Sequence, residues 1–369
     1  MAQDLHATQG MLAMRESTNL DLLRAVAVSF VVGDHLAMFM GVPRPRFLDY
    51  TALGLLGVLF FFVHTCLVLM FSLERQVARQ GTERLWRRFV LRRAFRLYPL
   101  AVVVVLFLYF AGIPGLGPLE GAYYSREAGP FALVSSLLLI QNVTGTVPIL
   151  EVLWTLPWEM QMYLFLPLLF LLTRRLSVRA FLALWAFSVI AAVAQFLWMG
   201  KENLLRYLPC FLSGVIAYRM NLSRPHQASS LWLVAFLVAA PILFMLAHTL
   251  GRGDVFRGMP VCLALGWLLP RVREVQNVWV RSVSRFVARY SYGIYLVHGA
   301  GIWLGFQVLD GAPWPVQWLV FLGTTLGIST LLYHCIETPM IAVGNRLSGH
   351  GPRPVRPSTD PLPEPAPAP

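Results

Sequence analysis

Long apolar stretches separated by short polar ones dominate this chain. They occupy residues 22–33, 52–73, 98–112, 152–173, 181–199, 204–217, 231–250, 255–270, 292–309 and 317–333. Most approach the ~17–25 residues that a helix needs to cross a bilayer. The pattern therefore predicts an all-α polytopic membrane protein with about ten transmembrane helices. Polar residues precede the first run and no small-residue cleavage site follows it, so it reads as helix 1 rather than a signal peptide.

A further apolar segment, 131–141, is short, and it sets the topology of every later loop. With a cytoplasmic N-terminus and 131–141 not spanning, 22 of the 30 basic residues fall inside, 7 fall outside, and Arg24 sits at the mouth of helix 1. Letting 131–141 span gives 13 inside and 16 outside, against the cytoplasmic excess of Lys and Arg that membrane proteins show. Both termini are thus expected in the cytoplasm, with 131–141 re-entrant or interfacial. Residues 1–18 read as a cytoplasmic N-terminal segment and 19–345 as the transmembrane domain. Residues 346–369, ending PSTDPLPEPAPAP, read as a disordered proline-rich tail.

Composition agrees with a membrane protein. Apolar residues make up 57% of the chain and charged ones 13%, against roughly 45–50% and 25% in soluble domains. The net charge of +12 fits a cytoplasmic surface facing anionic headgroups; nucleic acid is not an expected partner. Cys66, Cys210, Cys262 and Cys335 form no CxxC pair, so neither a metal site nor a disulfide framework is expected. The arginine-rich inner face points to a bacterial inner (plasma) membrane.

Ionisable groups at membrane depth are costly, which makes each a candidate for function. Arg24 and His35 are eleven residues apart, so they share one helix face about 16 Å apart along its axis. Arg92, Arg93 and Arg96 offer a fork of guanidiniums at the start of the third apolar run, suited to bidentate contacts with phosphate or to headgroup anchoring. Thr155, Glu159 and Tyr163 recur every four residues and form one polar stripe. The topology puts Glu159 in the outer half, the layer of His35. Ser291, Tyr295 and His298 share another face, and Glu337 closes the last helix near the arginine fork.

Together these strings resemble the acyltransferase 3 family of membrane O-acyltransferases over residues 19–339. Arg24 and His35 match its R-x10-H signature, and RRAFRLYP (92–99) is similar to its arginine-rich third helix. WTLPWEMQMY (154–163) followed by Pro167 resembles its WxLxxExxFY segment, and SYGIYLVH and YHCIETP complete the set. Each string is weak alone, but five in the right order are specific. The chain departs from the family's GxDxFFxLSGF pattern, where it carries Leu59 for the aspartate and His64-Thr65-Cys66 for Leu-Ser-Gly.

The resemblance implies transfer of an acyl group, acetyl in the usual case, from acyl-CoA to a hydroxyl of a glycan or other envelope-associated acceptor. No resident cofactor is implied. His35 is the expected general base, since an imidazole titrates near working pH. Glu159 is expected to orient that imidazole or bind the acceptor. Arg24, Arg92, Arg93, Arg96, Tyr163, Tyr295 and His298 are the expected acyl-CoA- and substrate-binding residues. The alternative is a transporter using the same buried charges as an ion or substrate relay, though the internal repeats that many transporters carry are not visible.

Overall fold

Every predicted apolar run falls on a helix. The computed structural model describes residues 17–43, 49–114, 128–200, 203–221, 228–249 and 255–349, and over these it is all-helical apart from turns and an isolated bridge between Ala228 and Val272. The helices are α1 (Thr18–Phe39), α2 (Ala52–Gln80), α3 (Leu85–Ala111), α4 (Gly129–Leu138) and α5 (Leu156–Thr173), then α6 (Val178–Met199), α7 (Leu204–Asn221), α8 (Leu231–Thr249), α9 (Val255–Leu268) and α10 (Val278–Ile302). The last, α11, runs over Trp314–Leu347. Most of the predicted N-terminal segment, and the predicted tail from residue 350 on, lie outside the described residues.

Six of these helices are long and apolar enough to cross a membrane: α1, α2, α3, α5 with its leading 3-10 turn, α6 and α11. The other predicted spans are shorter or carry arginines, as α9 does with 14 residues and α10 with Arg281, Arg285 and Arg289 in its first half. The segment expected not to span forms α4, whose ten residues reach about 15 Å. That is half of a hydrocarbon core ~30 Å thick.

Capping fixes where the helices begin. The Ser17 hydroxyl accepts from the Leu20 N–H, Ser177 from Ala180 and Asn277 from Val280, satisfying amides that have no partner inside the helix. The start of α1 is also tied to the segment leading into α10. The Glu274 carboxylate accepts from the Ser17 hydroxyl at 2.8 Å and the Asn19 N–H at 2.9 Å, while the Asn19 amide bonds both Arg273 and Val275 backbone groups at 3.0 Å. Helices α1 and α10 therefore start from the same end and pack side by side in parallel.

Helix α2 occupies the centre, packed against α1, α5 and α7. Its approach to α1 depends on Gly57, where a Cβ would lie 2.5 Å from the Ala27 carbonyl oxygen. Small residues set backbone separation in membrane bundles. On α11, a π turn at Tyr333–Glu337 precedes Pro339. The proline has no N–H to return to Cys335, and its ring crowds that carbonyl, so the ladder widens there. The widened turn turns Glu337 inward, to 3% exposure.

Candidate functional site

Five helices converge on a cavity of ≈ 90 Å³ in the middle of the bundle. Arg24 enters it from α1, His64 and Thr65 from α2, and Arg93 and Arg96 from α3. Glu159 and Tyr163 come from α5, with Thr155 just before it, and Ser291 and Tyr295 come from α10. The four-residue spacing of Thr155, Glu159 and Tyr163 does put all three on one wall, and the Tyr163 hydroxyl donates to Glu159 Oε2 at 2.7 Å.

Three guanidiniums and one carboxylate therefore share this small space. Arg24 donates from Nε to the Ser291 hydroxyl at 2.5 Å, and that hydroxyl donates in turn to the Ala288 carbonyl at 2.9 Å. The charges of Arg24 and Arg96 both bear on Glu159. Burying such an excess of positive charge is costly unless something compensates it, so the cavity is electrostatically suited to an anionic or strongly polar ligand.

Tyr295 closes the far end. A carbonyl can only accept, so the Tyr295 O–H donates to the Val152 oxygen at 2.7 Å, and the Thr155 hydroxyl donates to the Tyr295 oxygen at 2.8 Å. One turn further along α10 stands His298, its ring centroid 6.4 Å from that of Tyr295.

His298 bonds His35. Nδ1 of His35 lies 2.7 Å from Nε2 of His298, and the ring planes differ by 5° with centroids 5.1 Å apart. Parallel planes with so short an N···N contact mean that the rings meet edge to edge in one plane rather than face to face. The tautomers follow from the next link. His298 Nδ1 is 3.0 Å from the Ile294 carbonyl, which can only accept, so Nδ1 carries the proton. In a neutral His298, Nε2 is then a lone pair that must accept from His35 Nδ1–H. This leaves the lone pair of His35 on Nε2.

Two sequence expectations are corrected by this geometry. Glu159 and His35 do not form one layer: Glu159 lies with Arg24, Arg96 and Tyr163, and it is His298 that orients the His35 ring. The guanidinium fork also divides. Arg93 and Arg96 line the cavity, whereas the buried Arg92 donates to the Gln76 side chain on α2. Asp34, next to His35, turns against Gly54 of α2. His64, noted in the sequence only as a departure from a family pattern, sits 6% exposed on the cavity wall beside Arg24 and Arg96. An ionisable residue deep in an apolar run was the signal that could have singled it out. Among the described residues no three His, Cys, Asp or Glu side chains gather in a way that could hold a metal ion.

Comparison with known proteins bears on what this arrangement does. The family model for acyltransferase 3, described as "Acyltransferase domain", matches residues 17–334. A protein of Acidianus two-tailed virus named "Putative acetyltransferase ORF330" is 24% identical over 257 residues, covering 63% of this chain and 72% of the viral protein. No solved structure matches.

Proposed function

The chain belongs to the acyltransferase 3 family and is a multi-pass membrane acyltransferase, and on that premise we propose that it moves an acyl group, acetyl in the usual case, from acyl-CoA to a hydroxyl on a glycan or other envelope-associated acceptor. The observation that carries this reading is the hydrogen-bonded chain His35–His298–Ile294, which puts the lone pair of His35 on Nε2.

The steps follow from that lone pair. His35 Nε2 takes the proton of the acceptor hydroxyl as its oxygen attacks the thioester carbonyl carbon. The tetrahedral intermediate collapses with loss of the CoA thiolate, which recovers a proton from the imidazolium. While His35 is charged, its Nδ1–H remains directed at the His298 lone pair, which spreads and steadies that charge. Arg24, Arg93 and Arg96 hold the donor arm in the cavity, and Glu159, tied to Tyr163, keeps that guanidinium group in place.

Arginine counting supports ten spans with both termini cytoplasmic, in a bacterial inner membrane. In that frame the donor enters from the side of Arg24. His35 lies four residues from the outer end of α1, where an envelope acceptor would arrive. The family match does not favour the transporter reading. Purified protein supplied with acetyl-CoA and an envelope glycan fraction should give a mass gain of one acetyl group on the glycan, and His35→Ala should abolish it. Transfer by that variant at the wild-type rate would sink the assignment.

A further inference from the structure

A second cavity, of ≈ 470 Å³, adjoins the first, and Arg24, His64 and Arg96 line both. Its remaining charged lining comes from the two helix starts that Glu274 ties together and from the π turn of α11. Arg285 and Arg289 belong to the first half of α10, Asp21 to the first turn of α1, and Glu337 to α11. Four guanidiniums thus face two carboxylates. Asp21 stands in the field of Arg285, Arg24 and Arg289, and Glu337 in that of Arg96 and Arg24. An excess of positive charge remains after this pairing.

Three features decide which anion fits. Arginines that merely anchor a helix extend to the headgroups, whereas Arg285 and Arg289 line a recess that leads inward to Arg24. The buried Glu337 carboxylate keeps one oxygen, Oε2, without a hydrogen-bond partner, so a matching ligand presents N–H or O–H donors as well as phosphates. Length is the third constraint. Arg285 and His298 are thirteen residues apart on α10, about 20 Å along the axis, the same order as an extended pantetheine arm.

We propose that this second cavity holds the phosphorylated adenosine end of the acyl-CoA donor, with Arg285 and Arg289 on its phosphates and Glu337 Oε2 accepting from its hydroxyl or amino groups. The inference rests on the acyl-CoA reading above and extends it to Arg285 and Arg289, which neither the motifs nor the family match single out. The phosphates are held at the inner end of α10, and the pantetheine arm runs past Arg24 and Arg96 toward the histidine pair.

The test is calorimetric titration of the full chain, in phosphatidylcholine nanodiscs, with CoA, 3′-dephospho-CoA and pantetheine. Wild type should bind them in that order of decreasing affinity. Arg285→Gln with Arg289→Gln should weaken CoA roughly 10- to 100-fold for each guanidinium removed, with pantetheine affinity unchanged. Arg285→Lys with Arg289→Lys should recover part of the loss, which separates a missing charge from a misfolded bundle. Unchanged CoA affinity in the Gln pair overturns the proposal. So does a Gln pair that loses co-purifying phosphatidylglycerol while keeping CoA, because the recess is then a lipid-headgroup site. If wild type binds neither CoA nor pantetheine, the donor reading itself falls, an outcome distinct from both.

Discussion

His35 and His298, 263 residues apart in the chain, share one hydrogen bond of 2.7 Å between coplanar imidazoles. The Ile294 carbonyl fixes the proton on the far nitrogen of His298, and the tautomer of His35 follows from it. His298, expected from its place in SYGIYLVH to bind substrate, is thus also placed to position the His35 ring.

Replacing His298 by Ala should therefore lower kcat while leaving the donor KM close to wild type. General-base catalysis contributes about 10²–10⁴-fold, and losing the correct tautomer should remove a large part of it. His298→Gln, which can return an acceptor to the Nε2 position, should recover some of the rate. Steady-state kinetics on the purified variants decide this. A drop in donor affinity with kcat intact would mean that His298 binds substrate after all.

Arg24 should not tolerate lysine. Its Nε reaches Ser291 while the rest of the guanidinium faces the cavity, and an ammonium cannot serve two directions from one planar group. Arg24→Lys and Arg24→Gln should both lose most activity. Ser291→Ala, which removes only the anchor, should cost about 1.5–3 kcal/mol of transition-state stabilisation as measured by kcat/KM.

The divided arginine fork gives a paired prediction. Arg92→Gln should lower thermal stability, because Gln76 loses its buried partner at a cost of about 1–3 kcal/mol. The donor KM of that variant should stay near wild type. Arg93→Gln and Arg96→Gln should show the converse, a raised donor KM with a smaller change in melting temperature.

Gly57→Ala should destabilise the bundle, since the added methyl meets the Ala27 carbonyl at 2.5 Å and backbone must move. Overpacking of this kind costs about 1–3 kcal/mol, readable as a lower melting temperature in detergent.

His64→Leu restores the apolar residue of the family pattern at a cavity wall shared with Arg24 and Arg96. Removing one polar contact to the ligand should lower kcat/KM by about tenfold without loss of fold. An unchanged kcat/KM would show that the imidazole only fills space.

Local pattern alone specified the helices and the polar faces on them. Hydropathy over some twenty residues and a 3.6-residue period are local properties, so the apolar runs, the Thr155–Glu159–Tyr163 stripe and the shortness of the 131–141 segment were all legible. Which faces meet depends on contacts between helices. Arg92 and Arg93 are one residue apart, about 100° around the helix, and the position of α2 sends the first to Gln76 and leaves the second on the cavity. Glu159 and His35 were assigned one layer from span counting, but the axial offset between helices comes from contacts such as Thr155 on Tyr295 and Glu274 on the start of α1. Those contacts join residues distant in the chain, and no local pattern encodes them. They brought His298 to His35, left Glu159 among the arginines, and opened the recess lined by Arg285 and Arg289.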